Sequence, residues 1–301
     1  MLILLSPSKT MAQEPSVPEP LSEALKAEVL SRTQPCLSAQ SHAVIRALKA
    51  ELRLGEPVAF ERVGALMGVS ERLARTVLAE LESWRPEGTQ LALLSYSGDV
   101  FQGLDPSSWS AELWSRAQAQ LRVLSGLYGA ARPLDMICRY RLEMGLVARG
   151  ALLDALRAAL LSEGAPPAQA EGARASLAQL WRPRLSDELK RQLDAEPSVS
   201  PQAWALNLAS LEYSQALDFE HLELKPCAPR FLDLGPKGDY KVVSRYAKRA
   251  RGLMARYALS IGASSPQELT HFNWEGYEFV EAESRVEEGA LVFKRAALPS
   301  A

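Results

Sequence analysis

Residues 124–145, LSGLYGAARPLDMICRYRLEMG, constrain this chain more than any other stretch of it. Glycines at Gly126, Gly129 and Gly145 open backbone angles that other residues resist, and Pro133 fixes one directly after Arg132, so the punctuation describes a shaped loop. Arg132, Arg139 and Arg141 are set into it together with Asp135 and Glu143. A loop of this composition either holds a phosphate or orders a buried ion-pair network, and the residues alone leave both readings open.

The rest of the chain bounds the choice. Its 301 residues suffice for one large or two smaller domains with a sizeable core. A formal net charge of −2 argues against wholesale coating of nucleic acid and leaves room for a local basic patch. Cys36, Cys138 and Cys227 are odd in number and widely spaced, which gives neither a disulfide framework nor a zinc-ligand spacing. With no signal peptide visible, a reducing cytoplasm of bacterial type is the expectation. No apolar run approaches the length of a membrane span. His42, His221 and His271 are scattered and read as surface or packing residues, so no metal or cofactor is expected.

In chain order, residues 1–5 predict a buried first strand ended by Ser6-Pro7, with Lys9 an anion-binding candidate in its exit loop. If the sheet is partly parallel, ligands gather at such loops. A helical subregion is expected over about 21–84. Within it, residues 60–82 resemble a helix-turn-helix with Gly68 at the turn, Val63, Met67, Val69, Ala74 and Val77 inward, and Glu71, Arg72, Arg75 and Thr76 outward. An ordinary helical pair produces the same pattern. Residues 91–95 predict a second buried strand, after which Asp99 lies between Gly98 and Gly103 as a site residue or a turn aspartate. A helix over 110–124 leads into the central loop. Residues 147–175 read as a short helix plus a flexible insertion. Further strands are expected over 204–209, 226–234, 240–244, 272–280 and 290–294.

Residues 241–256, KVVSRYAKRARGLMAR, form the second informative element: from Tyr240 to Gln267 there is no acidic residue against six basic ones. At helical spacing, Tyr246, Ala250, Leu253, Met254 and Tyr257 make an apolar stripe. Arg245, Lys248, Arg249 and Arg256 make the opposite face, with Gly252 read in its middle, where a glycine would let a phosphate backbone approach. The absence of compensating carboxylates favours anion or nucleic-acid binding over a merely solvated basic face.

Seven ordered blocks then carry a resemblance: ILLSPSKTM, GDVFQGL, LSGLYGAARPLDMICRYRLEMG, NLASLEY, YKVVSRYAKRARGLMARYAL, FNWEGYEF and LVFKR. Together they resemble the YaaA family of bacterial peroxide-resistance proteins almost end to end. The resemblance implies a single compact α+β unit over 1–301, a mixed sheet surrounded by helices in an unusual topology, with a positively charged cleft and a helix-hairpin-helix-like element. The local candidate for that element is residues 121–132. It also implies binding of duplex DNA, distorted duplexes included, and limitation of oxidative DNA damage, with any effect on intracellular iron indirect. Ser97 stands where relatives typically carry lysine before Gly98.

The leading expectation is thus a cytoplasmic DNA-binding protein of the peroxide response. Lys9, Arg132, Arg139, Arg141, Arg245, Lys248, Arg249, Arg251 and Lys294 are the phosphate-contact candidates, and Tyr128, Tyr140 and Tyr246 the base-stacking ones. The rival is an enzyme acting on a nucleotide or a damaged base, with Asp99, Asp135 and Glu143 as its carboxylates.

Overall fold

The computed structural model describes residues 1–160, 174–195 and 204–296. Its centre is the apolar strand Leu2–Leu5, buried on both faces as an unalternating apolar run must be. Trp204–Asn207 and Leu121–Ser125 flank it in parallel, Lys225–Cys227 extends the sheet beyond Trp204–Asn207, and Gly129–Ala131 closes the other edge antiparallel. A second mixed sheet runs in the order Tyr240–Lys241, Arg230–Leu234, Val292–Arg295, Glu278–Phe279. Phe231, Phe272, Tyr277 and Phe293 pack together beneath it. Helices surround this mixed β structure, and the architecture is α+β.

Several elements depart from the sequence reading. The helix expected over 110–124 stops at Gln120, and Leu121–Ser125 is a fully buried strand. With Gly129–Ala131 it forms a β-hairpin, so residues 121–132 are not a helix-hairpin-helix. The loop is tied instead by Ser125 Oγ, which accepts the backbone N–H groups of Leu127 and Tyr128. Residues 91–95, expected as a second buried strand, are mostly helical, because a short apolar run fits either geometry. Here Gln90–Leu91 pairs as a strand and Ala92–Ser95 makes one helical turn, its first amides donating to the carbonyls of Asp135 and Pro133. Residues 226–234 split between the two sheets, and within 272–280 only Glu278–Phe279 is strand, after the short 3-10 turn Trp274–Gly276.

Other expectations hold. Ala59–Met67 and Glu71–Ser83 form a helical pair around Gly68, whose φ of 63° is left-handed. Val63, Ala74 and Val77 are buried there, Met67 and Val69, also expected inward, are half-buried, and Glu71, Arg72, Arg75 and Thr76 are exposed. In the 147–175 region, Val147–Arg149 pairs with Arg174–Ser176 around the helix Gly150–Leu160. Residues 161–173 of the insertion expected over 147–175 lie outside the described residues.

The basic segment is the helix Ser244–Ile261, and it corrects the place given to Gly252. Gly252 is buried, and a Cβ there would lie 1.9 Å from the Val100 carbonyl oxygen in the helix Asp99–Leu104. Reciprocally, a Cβ on Gly103 would lie 2.2 Å from the Arg249 carbonyl oxygen. The two glycines let two helix backbones touch, and no room is left for a phosphate.

Candidate functional site

The carboxyl ends of Leu2–Leu5, Trp204–Asn207 and Leu121–Ser125 open on one side of the sheet, where a parallel arrangement directs its loops. The first loop, residues 6–9, is fixed at both ends. Ser6 Oγ accepts the backbone N–H of Ser210 at 2.8 Å, joining it to the loop after Trp204–Asn207. Ser8 Oγ accepts the amide of Thr10 and packs against Gly98, where a φ of 126° and a would-be Cβ 2.9 Å from that hydroxyl both require glycine.

Lys9, carried between these anchors, donates to Glu143 Oε2 at 2.7 Å. Arg141 donates to the other oxygen of Glu143 at 3.0 Å and reaches toward the Lys9 carbonyl. The far end of the central loop thus returns to the carboxyl edge of the sheet. Two residues later Gly145 N–H donates to Glu212 Oε1 at 3.0 Å. Tyr213 lies beside this pair of carboxylates: burial first, then the neighbouring Tyr140, Glu212 and Glu143, push its phenol far above the ordinary range. Glu212 is a site residue the sequence reading missed. It stands in NLASLEY, directly after a strand of the parallel sheet, but as one acid among many it carried no local signal.

A second cluster adjoins through Ser8 and Gly98. Asp99 begins its helix with Arg245 at 3.8 Å, and Arg245 is 79% exposed. Lys248 is exposed one turn on, and Arg251 is half-buried, its pKa lowered by burial alone. Among the described residues neither Lys248 nor Arg251 makes an ion pair or a hydrogen bond.

The remaining candidates are engaged elsewhere. The β-hairpin returns Arg132 to the amino end of the partner strand Leu121–Ser125, where it wraps Asp135 with Nε and Nη2 while its backbone N–H donates to Asp135 Oδ2. Thr33 adds a 2.6 Å bond to this carboxylate, which is fully buried. Of the two readings of the central loop, the ion-pair network describes the Arg132–Asp135 end, and catalysis by Asp135 is set aside because each of its oxygens is already bound. Arg139 pairs with Glu80, whose pKa is raised because burial outweighs the arginine. Arg249 holds Glu275 through Nε and Nη2, Arg256 pairs with Asp105, and Lys294 pairs with Glu283 in the second sheet. For three of the six cations of residues 240–267, Arg245, Arg249 and Arg256, the missing carboxylates are therefore supplied by other parts of the chain.

Base stacking on Tyr128 and Tyr140 is corrected as well: they are 3% and 8% exposed. Tyr140 bonds Ser125 and Tyr96 through its hydroxyl, and its pKa is pushed up to about 12, by burial above all. Tyr128 takes N–H donors from Trp84 and Cys138. Tyr246 remains partly exposed, with the Arg295 guanidinium 5.1 Å from its ring centre. No three His, Cys, Asp or Glu side chains converge as a metal site among the described residues. No helix among them is long and apolar enough to cross a membrane.

Known proteins share this sequence over nearly its whole length. A UPF0246 protein of Aliivibrio fischeri strain MJ11 is 36% identical over 299 residues, covering 98% of each chain. One of Hahella chejuensis is 36% identical over 283 residues, covering 93% of this chain and 94% of its own. One of Delftia acidovorans is 35% identical over 300 residues, covering 98% of each. Residues 1–283 match the family described as peroxide stress protein YaaA, and the chain belongs to that family.

Proposed function

We propose that this protein is a cytoplasmic DNA-binding protein of the peroxide stress response. In this reading it holds duplex or distorted DNA by phosphate contacts, limits oxidative damage to it, and affects iron only indirectly. The observation that carries the reading is the amino-terminal half of the Ser244–Ile261 helix. Its first turn has no acid, Arg245 is largely exposed, and Lys248 and Arg251 are without partners among the described residues. Cations there reinforce the positive end of the helix dipole. Lys9, shared with Glu143, lies at the margin.

Fluorescence anisotropy with intact, mismatched and bubble duplexes over a salt series tests this. Expected is salt-sensitive affinity that falls at least tenfold in Arg245→Ala/Lys248→Ala and is unchanged in Arg132→Ala. A salt slope near zero would overturn it. One observation favours a second reading, an enzyme acting on a nucleotide or a damaged base: Glu143 and Glu212 flank Lys9 and Arg141 at the carboxyl edge of a parallel sheet. Recovered DNA that is cleaved or has lost bases with the wild type, and is intact with Glu143→Gln, would establish that reading.

A further inference from the structure

Beside the Lys9–Glu143–Arg141 cluster lies a pocket of about 360 Å³, between the end of the Ala59–Met67 helix and the strand Val147–Arg149. Its size is within the range of small-ligand clefts, about 300–1,000 Å³. One side is apolar, Leu66 and Met67, and so is another, Leu146 and Val147. Arg141 and Glu143 form its polar margin, a pure donor and a pure acceptor joined at 3.0 Å. Gly68 and Gly145 complete the lining without a side chain to fill it.

This combination selects a ligand class. A simple anion gains little, because Arg141, the one cation among the lining residues, is already paired with Glu143. An aliphatic chain would leave a charged margin desolvated without compensation. A flat heterocycle with apolar faces and an edge carrying both donors and acceptors satisfies both kinds of wall. We propose that the pocket takes a single nucleobase, its faces against the apolar sides and its hydrogen-bonding edge toward Arg141 and Glu143. The choice of a base over other planar amides rests on the nucleic-acid reading above. The base has two possible sources, a free nucleoside or a nucleotide turned out of a distorted duplex.

Ala65 lines the same pocket from an exposed helix position, so Ala65→Trp fills it without touching the core or the cations of the Ser244–Ile261 helix. The experiment has two arms. Guanosine, adenosine, cytidine and thymidine are titrated by calorimetry. In parallel, a duplex with 2-aminopurine opposite an abasic site is titrated by fluorescence, with total DNA affinity read by anisotropy. Expected is saturable binding of at least one nucleoside, weakened at least tenfold by Ala65→Trp and by Glu143→Gln. A several-fold rise of 2-aminopurine emission that Ala65→Trp abolishes, while its anisotropy-measured affinity stays within twofold of wild type, assigns the source to DNA. Nucleoside binding without that rise assigns it to the free nucleoside. Absence of both signals in the wild type, or their persistence in Ala65→Trp, overturns the pocket assignment. DNA affinity measured by anisotropy stands or falls separately, so failure of the pocket and failure of the nucleic-acid reading are distinguishable.

Discussion

Asp135 shows how far one residue's meaning depends on its surroundings. In the sequence it is one of two acids among three arginines, and a catalytic carboxylate and a structural one look alike there. In the fold it is fully buried and takes bonds from Thr33 and from Arg132 through both backbone and side chain. Removing one partner of a buried pair leaves the other uncompensated, at about 3–5 kcal/mol. Asp135→Asn is therefore expected to lower stability by about 3 kcal/mol in urea unfolding and to leave DNA affinity unchanged.

Glu80 is the opposite case. Burial raises its pKa despite Arg139, so the folded state binds its proton more tightly than the unfolded chain does. Its contribution to stability accordingly falls as pH rises from the ordinary glutamate value through the raised one. Carboxyl-carbon NMR should show Glu80 titrating above the ordinary value of about 4.3.

The thiols separate on exposure. Cys138 is 4% exposed, with its Sγ bonded to the backbone of Arg85, and burial raises its pKa; burial pushes Cys227 up to about 12. Only Cys36 is exposed. Ellman's reagent should modify one thiol in native protein and all three in denaturant, and faster reaction at Cys138 than at Cys36 would contradict its inert placement.

At the scale of elements, the crossing of Asp99–Leu104 with Ser244–Ile261 positions both Asp99 and Arg245. A glycine on the exposed face of a helix gives about 1 kcal/mol when replaced by alanine. Gly252 faces the Val100 carbonyl instead, so Gly252→Ala should destabilise by about 3 kcal/mol and weaken the proposed DNA binding by spreading the two helices. The sign of the change in melting temperature is the check. The periodicity of residues 241–256 specified the helix and its apolar stripe. It could not specify Gly252, because the neighbouring helix that occupies that face comes from residues 99–104, far away in the chain. The central loop behaved likewise: Gly129 is left-handed and closes a β-hairpin, and glycine spacing alone did not distinguish this from a turn between helices.

For the whole molecule the quantity that matters is how much positive charge remains unneutralised at one surface. Of nine cations expected to contact phosphates, Arg132, Arg139, Arg249 and Lys294 each pair closely with a carboxylate, and Lys9 and Arg141 share Glu143. Arg245, 79% exposed and 3.8 Å from Asp99, is left with Lys248 and Arg251 as one group on one helix. At a slope of about −0.9 per phosphate on duplex DNA, three contacts give a dependence of log affinity on log salt of about −3, and nine would give about −8. The salt series distinguishes these. A slope near −8 would mean that DNA phosphates displace the internal carboxylates.

By itself the sequence determined the buried first strand, the helical pair around Gly68, the basic amphipathic helix and the family. These rest on local apolar periodicity, glycine punctuation and motif order, which survive whatever packs around them. Tertiary structure alone decided which charges are free. Ion pairs such as Lys9–Glu143, Arg139–Glu80 and Arg249–Glu275 join residues far apart in the chain. The Coulomb energy of a charge depends on the carboxylate a few ångströms away and not on its sequence neighbours. A segment without a single acid can therefore have half of its cations paired, and a loop rich in arginine can be mostly scaffold.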